Sequence, residues 1–160
     1  MLSRARQKFP RQAQNKVFGS RKTIMELHNA MTIAASGLKA QGTRMRVVSE
    51  NIANANTTGA TPDELPYRRK TITFRNELDR AAGVDMVEID RIRKDYSPLG
   101  RRFEPNHPAA NQQGYVLTPN VNTLVEMTDM KEAQRSYEAN LSMIEMSRGM
   151  VSATVELLRR

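Results

Sequence analysis

NTLVEMTDMKEAQRSYEANLSMIEMSRGMVSATVELLRR, residues 122–160, is the most regularly patterned stretch of this 160-residue chain. It contains no proline, and one large side chain recurs every seven positions: Met130, Tyr137, Ile144, Val151 and Leu158. A second series runs beside the first: Met127, Gln134, Leu141, Arg148 and Val155. A seven-residue repeat of this kind indicates a helix that packs along a narrow seam against another helix. The stretch predicts a C-terminal helix over 122–160, with Asn122 as its N-cap.

Residues 25–57 carry a weaker repeat of the same kind. One heptad position holds Met31, Leu38, Met45 and Ile52, and the position three residues on holds Ala34, Gln41, Val48 and Ala55. Gly37 and Gly42 each weaken an isolated helix by about 1 kcal/mol relative to alanine, although small residues also permit close helix approach. The pattern predicts an N-terminal helix that ends near Asn54, before a turn-rich run, and that needs a partner to fold.

The middle segment, 58–121, holds six of the seven prolines of the chain. Because proline disrupts helices, this segment predicts loops with short strands at 68–74, 84–92 and 115–117. The expected fold class is mainly α: paired long N- and C-terminal helices, coiled-coil-like, with a middle segment of loops and short β-strands. Such a layout gives the chain little core of its own, so its exposed seams call for partner subunits.

The net charge of +8 resides almost entirely in residues 1–24, which hold seven basic residues and no acidic one. The rest of the chain carries 18 basic and 17 acidic residues and is nearly neutral. A basic tail can bind nucleic acid or an anionic membrane. This one has only Phe9 and Phe18 as aromatic residues and no clean amphipathic stripe. We expect a disordered extension, or the product of an upstream start site, and no nucleic-acid partner.

The sequence offers no constellation of residues for chemistry. The chain has no cysteine, and His28 and His107 lie in different regions without a metal-ligand neighbour at helical spacing. No phosphate-binding or nucleophile-elbow motif occurs. We therefore expect no catalytic, cofactor-binding or metal-binding residue and no small-molecule substrate. Several methionines, which indicate a helix core or subunit interface more than a promiscuous binding groove, lie in the C-terminal stretch: Met127, Met130, Met143, Met146 and Met150.

Several segments together resemble the flagellar axial proteins, and among them the basal-body rod family with its proximal rod branch. The N-terminal stretch 33–57 contains the core Asn51-Ile52-Ala53-Asn54 that is characteristic of this family. The middle contributes 66–70, 114–116 and 119–121. The C-terminal stretch contributes 126–130 and the motif 135–140, which includes Tyr137, Glu138, Ala139 and Asn140. The resemblance covers residues 25–160.

The resemblance implies a structural, non-enzymatic subunit of the bacterial flagellar rod, the drive shaft needed for motility. It implies export through the flagellar type III apparatus without a cleavable signal peptide, and no transmembrane segment. Other rod proteins and the basal-body base would be the partners in a periplasm-spanning helical assembly. The residues expected at the assembly interface follow the seams: Met31, Leu38, Met45, Val48, Ile52, Met130, Tyr137, Leu141, Ile144, Val151 and Leu158.

A cytosolic coiled-coil adaptor or export chaperone is the alternative. Such a protein would account for the heptads, but not for the Asn51-Ile52-Ala53-Asn54 core or for a middle segment of about 60 residues. A nucleic-acid binder driven by the basic tail is the third hypothesis, and an enzyme is the least favoured class.

Overall fold

A computed structural model describes residues 11–80 and 82–159, without the side chains of 11–22 and of Leu158. The chain runs from helix α1 (Arg11–Ala53) through strands β1 (Lys70–Asp79), β2 (Val84–Lys94), β3 (Gly100–Phe103) and β4 (Tyr115–Thr118) to helix α2 (Thr123–Arg159). Two long terminal helices therefore flank a middle segment of short antiparallel strands. This confirms the predicted fold class at that level.

The two helices pack side by side in opposite directions. Gly37 on α1 faces Asn140 on α2, and further along α1 Asn51 contacts Glu126, which lies earlier on α2. Between these two contacts, Arg44 forms an ion pair with Asp129 at 3.4 Å. Later residues of α1 thus contact earlier residues of α2, as expected for an antiparallel helix pair.

The face of α1 that contacts α2 holds Gly37, Arg44 and Asn51, a series at seven-residue spacing beside the predicted one. The residues of the predicted seam are covered to different degrees. Ala34 and Val48 are buried, and Met31, Leu38, Met45 and Ile52 are half-buried. On α2 the series Met130, Tyr137, Ile144 and Val151 is half-buried as well. The part of these residues in a coiled-coil-like seam stays a prediction.

The prediction that the second series on α2 lines the helix seam is wrong. Met127, Gln134, Leu141, Arg148 and Val155 are all exposed. The series that faces α1 is instead small and polar: Glu126, Ala133, Asn140, Ser147 and Thr154. Residues three and four positions from Met130 flank it on opposite sides of the helix, so periodicity alone does not show on which side the partner helix lies. Apolar content favoured the exposed side, whereas close packing against α1 selected small residues.

The helix boundaries differ from the expected ones mainly at the N-terminus. Helix α1 begins at Arg11, so residues 11–24 of the predicted disordered extension are helical, while 1–10 lie outside the described residues. No proline occurs between Pro10 and Pro62 to interrupt it. The predicted end near Asn54 and the predicted cap of α2 are confirmed. Asn54 Nδ2 donates to the Glu50 carbonyl at 2.8 Å, and Asn122 Oδ1 accepts from the Leu124 N–H at 3.0 Å.

The middle segment forms two antiparallel hairpins. Strand β1 pairs with β2, with Gly83 at a φ of 67° in the connecting turn, and β3 pairs with β4. The first hairpin lies along α1, where the Val87 N–H donates to Ser36 Oγ at 3.2 Å. Helix α1 therefore packs against α2 on one side and against this hairpin on another.

The predicted strands in all three regions are present, and β3 is an addition. Its sequence, Gly100-Arg101-Arg102-Phe103, lacks the apolar alternation of a half-buried strand, and all four residues are exposed. Pairing with β4, rather than burial, holds it in place: Gly100 lies opposite Thr118, and Phe103 opposite Tyr115.

Candidate functional site

A buried asparagine joins the three parts of the structure. Asn51, at the end of α1, is 1% exposed. Its amide nitrogen donates to the Lys70 carbonyl at 2.8 Å and to Glu126 Oε2 at 2.9 Å. Its amide oxygen accepts from the Tyr67 hydroxyl at 2.9 Å and from the Lys70 N–H at 2.8 Å. Two donors and two acceptor positions are the full capacity of the side chain, so Asn51 ties α1 to α2 and to the start of β1.

The carboxylate of Glu126 is the buried charge of this junction, with an exposure of 1%. Besides Asn51, Arg69 Nε donates to Glu126 Oε1 at 2.6 Å, and the same guanidinium lies 3.6 Å from Asp129. A buried carboxylate is tolerated when it is paired and hydrogen-bonded. Arg69 is itself held by its backbone N–H, which donates to Asn120 Oδ1 at 2.9 Å. We call the set Asn51, Tyr67, Arg69, Lys70 and Glu126 the polar junction.

The edge of the polar junction is a half-buried ion pair. Lys70 Nζ donates to Glu50 Oε2 at 2.8 Å, and this hydrogen bond lowers the pKa of Glu50 and raises the pKa of Lys70. Deeper inside, burial raises the pKa of Tyr67. Its hydroxyl is therefore kept protonated, in the form that donates to Asn51. The arrangement fixes three elements relative to one another.

The predicted motif residues differ in what they do. Of the N-terminal core, Asn51 is the centre of the polar junction and Asn54 caps α1, while Ile52 is half-buried and Ala53 is exposed. Of the C-terminal motif, the residues that face α1 and those that face solvent alternate with the helical period. Tyr137 and Asn140 are half-buried, and Glu138 and Ala139 are exposed.

The sequence alone does not link the other members of the polar junction to Asn51, and the expectation that Glu126 lies on a solvated or interfacial face of α2 is wrong for its solvated form, because Glu126 is buried inside the chain. Tyr67, Arg69, Lys70 and Glu126 fall within the segments that carried the family resemblance, but nothing connected them to Asn51. One signal was available for Glu126. It stands seven residues before Ala133 and fourteen before Asn140, in the small and polar series that faces α1.

The predicted interface residues lie mainly inside the single chain. The half-buried members are Met31, Leu38, Met45, Ile52, Met130, Tyr137, Ile144 and Val151, and Val48 is buried. Leu141 is 43% exposed and lies outside the intramolecular seam. The side chain of Leu158 is not among those described. The part of these residues in assembly stays a prediction.

Helix α2 also exposes much apolar surface: Leu124, Val125, Met127, Leu141, Met143, Met146, Met150, Val155 and Leu157 are all at least 41% exposed. Contiguous exposed apolar surface marks interaction sites. Over the described residues, neither helix combines the length and the apolar character that a membrane span requires. Within that same part of the chain, no group of three or more histidine, aspartate and glutamate side chains could hold a metal ion.

Two models of known protein families match the chain, one near each end. The family model described as flagella basal body rod protein matches residues 31–61, which contain Asn51 and most of the α1 seam. The family model described as the C-terminal region of flagellar basal body rod FlgEFG proteins matches residues 112–157, which contain Glu126 and most of α2. Both ends of the chain thus have the sequence character of flagellar rod proteins.

Individual relatives of known family show to which group of flagellar rod proteins the chain is similar. The flagellar basal-body rod protein FlgC of Agrobacterium fabrum is 50% identical over 133 residues, which cover 83% of this chain and 96% of the relative. FlgC of Borreliella burgdorferi is 38% identical over 153 residues, covering 84% and 99%, and FlgC of Bacillus subtilis is 33% identical over 148 residues, covering 83% and 99%. The chain therefore belongs to the FlgC family of flagellar basal-body rod proteins. It is a structural subunit of the basal-body rod, with the role in motility that this implies.

Proposed function

We propose that this chain polymerises through its terminal helices with other rod subunits and joins the basal-body base in a torque-transmitting shaft. The observation that carries the proposal is the contrast between a thin core and an exposed apolar helix. Among the side chains that the structure describes, the buried aliphatic ones are small: Ala34, Ala40, Val47, Val48, Ala109, Val116 and Ala133. The large apolar side chains on α2 are instead exposed. Burial of these side chains between subunits would supply stability that the monomer lacks.

Geometry supports this mode of assembly. A helix pair that offers different faces to different neighbours makes heterologous contacts, and such contacts generate helical tubes when they do not close into a ring. Interdigitated helices resist shear along many contacts at once, which suits a shaft under torque. The polar junction fixes the hairpin segment against both helices, so that the middle segment moves with them as one unit.

The proposal also covers how the chain leaves the cytosol and whether it catalyses a reaction. The chain leaves the cytosol through the flagellar type III apparatus without a cleavable signal peptide and acts in the periplasm-spanning rod. It performs no catalysis. A thin core supports this route, because a chain with little buried apolar surface unfolds at low cost for passage through a narrow channel. The alternative hypothesis is a cytosolic adaptor or export chaperone. Only the heptad repeats of the two helices support it.

Removal of residues 151–160 tests the proposal. This deletion shortens α2 and removes Val151, Val155 and Leu157 while leaving the polar junction intact. We expect the protein to be exported and the cells to be non-motile, with incomplete rods in purified basal bodies. The matched control replaces 151–160 with a glycine-serine tail of equal length and should fail in the same way. Normal swimming by either variant would refute assembly through the terminal helices, and retention of the wild-type chain in the cytosol would favour the adaptor.

A further inference from the structure

Helix α2 carries a second heptad stripe beside the seam that packs on α1. Its members alternate in spacing between four and three residues: Ala139, Met143, Met146, Met150, Ala153 and Leu157. All of them are exposed, and Met143, Met146, Met150 and Leu157 are 41%, 58%, 48% and 76% exposed. No charged residue interrupts the stripe. The spacing is that of the intramolecular seam, so α2 offers a further surface suited to packing along a second helix.

A groove of matching character lies on another side of the same molecule. It runs between α1 and β2 and has a volume of about 460 Å³. Small side chains from α1, namely Thr32, Ala35, Ser36 and Ala40, line one side, and Met86, Val87 and Ile89 line the other. Lys39, Glu77 and Glu88 complete the lining. The contacts of α1 with α2 use different α1 residues, such as Gly37 and Asn51. A partner in the groove would therefore not compete with α2 of the same chain.

The two carboxylates at the rim of this groove are already paired. Arg75 forms ion pairs with Glu77 at 3.0 Å and with Glu88 at 2.5 Å, and Lys39 interacts favourably with Glu88. An uncharged occupant would leave both ion pairs of Arg75 in place, whereas a negatively charged one would add repulsion from the two carboxylates. The groove therefore fits an apolar, uncharged helix face.

We propose that the α2 stripe of one copy of this chain packs into the α1–β2 groove of the next copy. The inference rests on the proposed polymerisation and names the surfaces that carry it. The long, flexible methionines supply knobs that adapt to an irregular surface, and the small residues of the groove supply the space. Met143, Met146 and Met150 span about 10 Å of α2 at 1.5 Å per residue, close to the roughly 12 Å of α1 between Thr32 and Ala40 that lines the groove. Because the two surfaces differ, the contact is head-to-tail and repeats from copy to copy.

Disulfide trapping tests this contact cleanly, because the chain has no cysteine of its own. Two differently tagged copies are expressed together in motile cells, one with Met146→Cys and the other with Val87→Cys. Basal bodies are isolated, oxidised mildly and analysed without reductant. We expect a disulfide-linked dimer that contains both tags, since only cysteines with neighbouring Cα atoms form the bond. The matched control places the cysteine at Glu145, which is exposed on another face of α2, and should give no such dimer.

The two possible failures are distinguishable. Motile cells in which Met146→Cys links to a different basal-body protein, or to nothing, would overturn the self-contact while leaving the rod function in place. Loss of the protein from basal bodies altogether would instead contradict the proposed function. If Met146→Cys stops swimming by itself, Met150→Cys replaces it, one helical turn further along the same stripe, and the same readouts apply.

Discussion

Asn51 shows how one residue can organise the contacts of three elements. Its amide bonds at once to Glu126 on α2, to the backbone of Lys70 at the start of β1 and to Tyr67 just before it. An apolar residue of similar size would take one hydrogen bond from Glu126, which keeps Arg69, and would remove the partner of the Lys70 N–H and of the Tyr67 hydroxyl. The N-terminal family motif is thus explained by hydrogen bonding, because its first asparagine satisfies groups that folding has buried.

Replacement of Asn51 by alanine should destabilise the chain severely. Each buried polar group left without a partner costs about 1–3 kcal/mol, and the substitution affects groups on α2, on β1 and at Tyr67. We expect a clear drop in the midpoint of thermal unfolding of the full chain, followed by circular dichroism. Asn56→Ala, at an exposed position just beyond α1, is the control and should leave the midpoint nearly unchanged. Equal midpoints for Asn51→Ala and the wild type would show that the polar junction is dispensable.

Tyr67 should make the stability of the polar junction depend on alkaline pH. Burial raises its pKa above the ordinary value of about 10. A raised pKa in the folded state means that the stabilisation is complete below the unfolded-state pKa and is lost as pH rises through the folded-state pKa. The deprotonated oxygen can no longer donate to Asn51.

The measurement compares wild type with Tyr67→Phe by denaturant unfolding from pH 8 to 11. Tyr67→Phe lacks the hydrogen bond at every pH and should be less stable than wild type at pH 8. The difference between the two should shrink as the pH rises past 10. The exposed Tyr96, replaced by phenylalanine, is the control and should show no such trend. A difference that stays constant over the range would contradict the role given to the Tyr67 hydroxyl.

At the scale of elements, the contact between α1 and α2 depends on small residues where large ones might be expected. A Cβ atom on Gly37 would lie 2.7 Å from Asn140 Nδ2, closer than packed atoms approach. At Gly42 the nearest neighbour of such an atom is Tyr137 at 4.0 Å, an ordinary contact. The two glycines of α1 therefore have different roles, although both look like helix breakers in the sequence.

Substitution separates these roles. Gly37→Leu should force the helices apart and destabilise the chain by about 1–3 kcal/mol, the usual cost of overpacking. Gly42→Ala should be neutral or stabilising by up to about 1 kcal/mol, because alanine favours the helix. Thermal unfolding of both variants checks the pair. If Gly37→Leu proved as stable as Gly42→Ala, the close approach of α1 and α2 would not be a constraint on the fold.

Sequence reasoning succeeded where a signal is local and failed where it depends on a partner. The proline-free stretches, the end of α1 at Asn54 and the cap at Asn122 all follow from short-range chemistry. The side of α2 that faces α1 did not, because Leu141 and Ala133 flank the Met130 series equally and only the position of α1 decides between them. The polar junction was missed for a related reason, since Asn51 and Glu126 are 75 residues apart in the chain.

At the scale of the whole molecule, the large apolar side chains of α2 lie outside the interior. The interior is filled by alanines, valines and a polar junction, while methionines and leucines line the outer faces of α2. A chain built this way gains little from folding alone and much from joining others. This is consistent with a subunit of a rod, where neighbours cover those faces.

The central claim is that both terminal helices of this chain pack between subunits in the rod. Imaging of isolated basal bodies at side-chain resolution tests it most directly. We expect α1 and α2 of this chain in the wall of the tube, with Met143, Met146 and Met150 covered by a neighbouring subunit. A rod in which this chain is present but its α2 methionines face solvent would contradict the account.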